Sequence, residues 1–489
     1  MTLPFPNSIN SVYRFFEVAT QGDASSYAAL LDGGTLTPSV LNTSIHIGLQ
    51  PDRVITLVGN TLTTDEIPHS ISTAKDLLTE LRRQTKPNSD QHPWFTYAGY
   101  EFARWCDPGL AKIPPADPHS TNLPDLILCQ FSHWISLDLT NKTVTLKCDT
   151  PDHKQHYQTL WRQACDTSAV NVPNISLAPD DYRDTFEASY SPAQFKTAVE
   201  RLKHYIHNGE IYQANLSLKL QKEVQTNPMD LYRTLSHQNP SPFSACLKTP
   251  QGYLLSNSPE RLVCANTTDI IETRPIAGTR GRANEHKTDE TIGHTLKANP
   301  KERAEHLMLV DLARNDLGRV SLPGSVKVEE LMTLERYSHV THLVSNVTGQ
   351  RRPTADVWDI LKAVFPGGTI TGCPKIRCMD LLHQTEPVPR GFYTGSLGWL
   401  DPQTNTLDLN ILIRSLLLTP TDTPLGYNTA VHIGAGIVAD SVAANEYREC
   451  MRKAQAILAA LHHTEHPPQK DVQGDLHFER VEPIEPVLP

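Results

Sequence analysis

Ala430-Val431-His432-Ile433-Gly434-Ala435-Gly436-Ile437-Val438-Ala439-Asp440-Ser441 decides between two fold classes for this chain. Ala430 to Ile433 reads as a strand, and Gly434 to Ala439 then matches the spacing GxGxxA. A dinucleotide site in a doubly wound parallel sheet needs a helix that begins inside that glycine turn. It also needs a further strand ending in an acidic residue about twenty positions on. Here the helix-start signal, Asp440-Ser441, comes after the glycines. The helix it opens carries Tyr447, Met451, Ala454, Leu458 and Leu461 as one apolar stripe and runs on toward the end of the chain. The glycines are therefore not a nucleotide turn, and the parallel-sheet class loses its strongest signal.

Outward from this stretch, strands and helices follow one another without regular βα alternation, which predicts an α+β fold. Ser191-Pro192 is an N-cap followed by proline at the first helical position. Phe195, Val199, Leu202 and Ile206 continue that helix to a C-terminal glycine, Gly209. Ile211 to Leu220 and Tyr253 to Leu255 read as strands. Asn299-Pro300 opens another helix, with Leu307, Val310 and Leu312 as its apolar positions. Earlier in the chain, Val54 to Val58, Leu126 to Ile135 and Val144 to Lys147 read as strands between turn residues. The polar segment Val172 to Tyr190 suggests a boundary. This divides the chain into a β-rich region 1–185, a catalytic region 186–461, and a His-, Pro- and Glu-rich tail 462–489 expected to be loosely ordered.

The composition removes several classes of partner. Apolar residues are 39% of the 489 and charged residues 20%, ordinary globular values, and the net charge is -10 without a basic block. Nucleic-acid binding needs a concentrated basic face, so no nucleic-acid partner is expected. No window approaches the roughly 18 uninterrupted apolar residues of a membrane span. Met1 to Val18 lacks a basic segment followed by an apolar run and a cleavage site. The nine cysteines are scattered, with no CxxC pair or Cys/His zinc spacing. A reduced, cytoplasmic protein is the simplest expectation.

Several polar residues stand where chemistry is possible. Glu302 and Glu305 share one face of the helix opened at Asn299, and Glu446 and Glu449 repeat that geometry on the last helix. Four carboxylates from two helices suit a hard cation such as magnesium. The alternatives are solvated acidic faces and, for Glu302, the N3 position of a capping box. Glu446, Glu449 and Lys453 form a stripe about 130° from the apolar one. Lys453 either pairs with Glu449 or meets a substrate anion. Asp311, Arg314, Asn315, Asp316 and Arg319 are expected to build buried salt bridges at a helix end. Arg414, inside the apolar, strand-like run Leu409 to Leu418, needs an anionic partner, either a substrate carboxylate or a structural aspartate. His342 lies among apolar neighbours, as a hydrogen-bonded core histidine would. Glu260 follows a strand and a turn, a place for a general acid or a surface carboxylate. Gly367 to Lys375 lacks the GK[ST] ending of a phosphate loop, and Cys373 lacks the setting of a glutaminase nucleophile.

Taken in order, these segments resemble the chorismate-utilising enzymes, which include the anthranilate, aminodeoxychorismate, isochorismate and salicylate synthases. The matching stretches are Tyr212 to Leu216, Ser258 to Arg261, Arg274 to Thr279, Lys301 to His306, Asp311 to Val320, Phe365 to Lys375 and Gly434 to Ser441. The resemblance implies packed antiparallel sheets with outer helices and chorismate in a central cleft. It implies that Glu302, Glu305, Glu446 and Glu449 bind magnesium, and that Glu260 is the general acid that helps expel the ring hydroxyl. Thr279, Tyr393, Arg414, the backbone of Gly434, Ala435 and Gly436, and Lys453 would surround the substrate carboxylates. His342 and Gln213 fall among the catalytic positions.

The branch is implied by single residues. Isochorismate and salicylate synthases carry a water-activating lysine aligned with Gln213, and glutamine is no general base at neutral pH. Addition of ammonia remains. Tyr212 to Leu216, Pro242-Phe243-Ser244 and Phe365 to Gly372 look like the aminodeoxychorismate synthases of para-aminobenzoate and folate biosynthesis. Leu30-Leu31-Asp32-Gly33 departs from the tryptophan-binding Leu-Leu-Glu-Ser of anthranilate synthases, which argues against tryptophan feedback. Ala277, however, stands where many aminodeoxychorismate synthases have a lysine proposed to attack the ring, as in anthranilate synthases, so direct attack by ammonia is expected. Ammonia would come from a separate glutamine amidotransferase subunit.

Overall fold

The computed structural model describes residues 3–21, 26–39, 41–86, 92–115, 117–166, 185–281, 286–336, 340–465, 469–470 and 476–477. Among these, 21 strands join in one hydrogen-bonded network through antiparallel pairings. The α+β class expected from the missing βα alternation is the one observed. Strands from early and late in the sequence interleave: Ala28–Asp32 pairs with Phe243–Thr249, and Trp94–Ala98 with Ser396–Asp401. Most of the polar segment chosen as a boundary, 167–184, lies outside the described residues.

The longer strands are apolar on both faces because both faces are covered. In Leu126–Asp138, Leu126 and Leu128 pack with Trp358 and Leu361 of the helix Val357–Val364. The alternate residues Ile127, Cys129 and Phe131 enter an inner cluster with Tyr97, Leu247 and Leu417. Period-two alternation thus lets one strand line two cores. A third cluster joins Leu216, Leu218, Leu416 and Leu418 to Phe195 and Leu202 of the helix Pro192–His207 and to Met451 and Leu458 of the helix Ala443–Glu465. The architecture is an inner core between sheet faces, with helices outside. Each fully buried Leu or Phe side chain contributes about 1.5–3 kcal/mol to holding it together.

Local signals account for the helices. Ser191 and Gln194 close a reciprocal capping box at the start of Pro192–His207, and Gly209 takes φ +75° just past its end. Tyr447, Met451, Ala454, Leu458 and Leu461 do form the inward stripe of Ala443–Glu465, which takes in the first four residues of the expected tail. The helix Pro300–Gly318 begins at an Asn299 cap, but its apolar positions differ from expectation: Leu307 is 46% exposed. The buried face is His306, Leu309, Val310 and Leu317. One residue is about 100° of helix, so a face centred on Leu309 and Val310 turns Leu307 outward. The expected strand Ile211 to Leu220 begins at Gln213 and runs to Gln225. Among the described residues no helix is long and apolar enough to cross a membrane.

Candidate active site

The stretch that ruled out a parallel sheet is a strand, Gly426–Ile437, and its glycines lie inside it. It pairs with Gln213–Gln225, setting Gly434 opposite Ser217 and Gly436 opposite Asn215. Ile433, Ala435 and Ile437 turn into the helix-facing core. Gly434 and Gly436 turn the other way, and there side chains press on the backbone. A Cβ on Gly434 would lie 2.6 Å from the Tyr393 hydroxyl and 2.7 Å from Asn215 Oδ1; one on Gly436 would lie 2.7 Å from Gln213 Nε2. Only glycine fits such an approach. Lys453 donates from Nζ to the Gly434 carbonyl at 3.0 Å while pairing with Glu449 at 2.9 Å. Of the two partners left open by the sequence, the ion pair with Glu449 is in place, and a contact with the glycine strand is added to it.

Behind this cradle Tyr393 is buried and stacked on His432, with ring centroids 5.6 Å apart. Arg390, 1% exposed, holds the layer beneath. It pairs with Glu386 at 2.7 Å and donates to the carbonyls of Asn215 and Ile370. Asn215, Glu386 and Arg390 were not singled out from the sequence. Arg390 carried the signal used for Arg414, a cation beside the apolar Phe392-Tyr393 pair that requires an anion.

Glu260 sits between the strands Gly252–Ser258 and Arg261–Ala265 and is 6% exposed. The Ser258 hydroxyl accepts from the Glu260 amide at 3.2 Å, and the Glu260 carbonyl accepts from Ile411 N at 3.0 Å. The turn is fixed on both sides. Thr369, another residue missed, donates its hydroxyl to Glu260 Oε1 at 2.8 Å. Burial pushes the Glu260 carboxyl up to about 7, against the lowering influence of the Thr369 hydroxyl, the Ile276 amide and the charges of Arg414 and Lys453. It is not a surface carboxylate.

Arg414 corrects the sequence reading. It lies between the strands Thr406–Asn410 and Ser415–Pro420, not within one, at φ +51°. Asn257 N donates to its carbonyl at 3.1 Å, which anchors the kink. Its guanidinium makes no hydrogen bond or ion pair among the described residues. Burial pulls it below its ordinary value while the Glu260 carboxylate opposes that shift. No aspartate pairs with it among the described residues. His342, 3% exposed, lies on Val340–Gln350 directly across from Thr279. Burial, with the positive charge of Arg414 added, lowers it to about 4, so it stands as a neutral imidazole. The Thr279 side chain lies outside the described residues.

The two acidic pairs face a common space. Glu305 is raised by burial and then by the negative charges of Glu302, Glu446 and Glu449, after an opposing contribution from Lys301. Glu446 is raised by burial and by Glu449. A Cβ on Gly278, at φ +69°, would lie 2.8 Å from Glu302 Oε2, so this carboxylate abuts the strand that carries Ala277 and Thr279. Four carboxylates gathered from two helices suit a hard divalent cation. Of the neighbouring polar cluster, Asp316 makes a buried pair with Lys375 at 2.7 Å, whereas Arg314 and Asp311 pair at the surface.

The arrangement sets a protonatable acid in the field of Arg414 and Lys453, and Lys453 joins the glycine strand to the acidic pairs through Glu449. A family model for chorismate binding enzymes matches residues 5–459, and the chain belongs to that family. Fold and family make it a chorismate-utilising enzyme. Its relatives are specific. It is 47% identical over 373 residues to aminodeoxychorismate synthase component 1 of Bacillus subtilis, covering 75% of this chain and 76% of that one. Over 371 residues it is 42% identical to an anthranilate synthase component I-like protein of a Synechocystis species, covering 75% and 72%. The solved structure of anthranilate synthase component I from Streptococcus pneumoniae matches with a TM-score of 0.71 at 29% identity, over 86% of this chain and 93% of that one.

Proposed function

We propose that the chain is the chorismate-aminating component of an aminodeoxychorismate synthase. Glu260 carries this reading: a carboxyl buried within the field of Arg414 and Lys453 and raised to about 7 remains substantially protonated at neutral pH. Arg414, Lys453, the Tyr393 hydroxyl and the Gly434 to Gly436 backbone hold the substrate carboxylates, with Thr279 beside them. Glu260 gives its proton to the departing ring hydroxyl, which leaves as water while the carbon–nitrogen bond to ammonia forms. The added nitrogen then loses its extra proton, giving 4-amino-4-deoxychorismate. Ala277 offers no nucleophile, so ammonia attacks the ring directly. Gln213, pressed against Gly436, cannot take a proton from water, which supports amination over hydration. His342, neutral and buried, positions the Thr279 strand.

Magnesium held by Glu302, Glu305, Glu446 and Glu449 would supply positive charge opposite a substrate carboxylate. Ammonia comes from a separate glutamine amidotransferase subunit, a partner with which the component name of the Bacillus relative accords. The B. subtilis relative and the Pro242-Phe243-Ser244 segment favour this branch. Ala277 and the anthranilate-type relatives favour a second reading, anthranilate synthase. Chorismate, magnesium and an ammonium salt incubated with the pure chain should yield a product with the mass of aminodeoxychorismate. Fluorescent anthranilate with released pyruvate would establish the second reading. Unchanged chorismate, with or without an amidotransferase, would sink both.

A further inference from the structure

In the first part of the chain, folding assembles three metal-type donors. His133 lies on the strand Leu126–Asp138, Asp149 just before the helix Pro151–Asp166, and His153 in that helix's first turn. One ligand atom from each lies within 4.8 Å of the others, the one such group among the described residues. His153 Nδ1 is 2.8 Å and His133 Nδ1 3.5 Å from the same oxygen, Asp149 Oδ1. Donors around a tetrahedral zinc ion lie about 3.3–3.5 Å apart, given bonds of about 2.0–2.1 Å. The two distances to the carboxylate bracket that spacing.

A second observation points at a cation. The His133 side chain is 0% exposed. Its Nε2 lies 2.8 Å from Gln50 Oε1 and is the donor of that contact, which turns Nδ1 toward the carboxylate. Nδ1 is buried without a hydrogen-bond partner. Nδ1 and the carboxylate oxygen face each other across 3.5 Å, a gap that a shared cation would close. Gln50 is itself fixed, at φ +52°, by the Ser132 hydroxyl donating to its carbonyl at 2.9 Å. A metal-binding histidine usually hands its other N–H to such an oxygen acceptor.

We propose that His133, Asp149 and His153 form a binding site for a zinc-like divalent ion, separate from the acidic pairs of the candidate active site. Two imidazoles and one carboxylate suit zinc and its neighbours and are a poor match for magnesium. Asp149 and His153 are 46% and 45% exposed, which leaves the fourth position to water. The ion would fasten the helix Pro151–Asp166 to the sheet.

The test is metal counting on the full-length chain, stripped with a chelator and equilibrated with micromolar zinc chloride in millimolar magnesium. One zinc per chain is expected. His153→Ala and Asp149→Asn, both at exposed positions, should each weaken binding by at least about tenfold. Doubly substituting Glu305→Ala and Glu449→Ala should leave zinc binding unchanged. As a second readout, zinc should raise the thermal midpoint of the parent chain and not that of His153→Ala. The proposal is overturned if the parent retains no zinc, if His153→Ala retains it equally, or if the Glu305/Glu449 double variant loses it.

Discussion

Asp32 and Glu260 are both buried carboxylates, and burial raises both, to about 6 and about 7. Their surroundings differ. Asp32 accepts from the hydroxyls of Tyr232 at 2.7 Å and Tyr13 at 3.3 Å and from Gly34 N at 2.5 Å, and no cation contributes to its state. Glu260 has one hydroxyl and one backbone amide, and it faces the field of an arginine that makes no ion pair among the described residues. A perturbed pKa thus marks burial first. What separates the functional acid from the structural one is hydrogen-bonding capacity left for a ligand and a cation waiting beside it.

Substitutions can break that contrast. Glu260→Gln keeps the shape and the Thr369 contact but removes the proton, so kcat should fall by about 10²–10⁴. A variant as fast as the parent would place Glu260 with Asp32. Arg414→Ala should weaken kcat/KM by about 2–5 kcal/mol, at least roughly thirtyfold, with Arg414→Lys restoring only part. Glu449→Ala should raise the magnesium concentration for half-maximal rate by at least about tenfold. An unchanged magnesium requirement would remove the metal assignment. The pH profile sharpens the comparison further. The donor form of Glu260 is lost as pH climbs through about 7, so kcat/KM should decline about tenfold per unit above it. Asp32→Ala should have the smallest effect on turnover. Leaving two tyrosine hydroxyls unpaired costs about 1–3 kcal/mol of stability, visible as a lower denaturation midpoint, with kcat unchanged.

Much of this was legible from sequence because caps, stripes and ordered motifs are local. Ser191-Pro192 and Gly209 bound their helix, and Tyr447 to Leu461 lined theirs, since 3.6-residue periodicity needs no distant partner. The two acidic pairs could be paired on faces, but that the faces meet depends on tertiary packing. Arg414 misled for the opposite reason: its neighbours are all apolar, so a kink at φ +51° reads as strand. Thr369, Asn215 and Arg390 were hidden because each acts through a contact more than a hundred residues away, as Thr369 does on Glu260 and Arg390 on Asn215. The His133, Asp149 and His153 group escaped likewise, its members being ordinary residues until the strand and helix close on one another.

The glycine strand has a consequence for how this chain tolerates change. From Ile433 to Ile437, odd-numbered residues face the helices and even-numbered ones the cradle. Neighbouring codons therefore answer to different demands. Enlarging Ala435 should be felt as poor folding, and enlarging Gly434 or Gly436 as lost turnover in a protein that still expresses. A single strand works as a two-sided partition, and a scan of substitutions along it should alternate in phenotype with the period of the pleat.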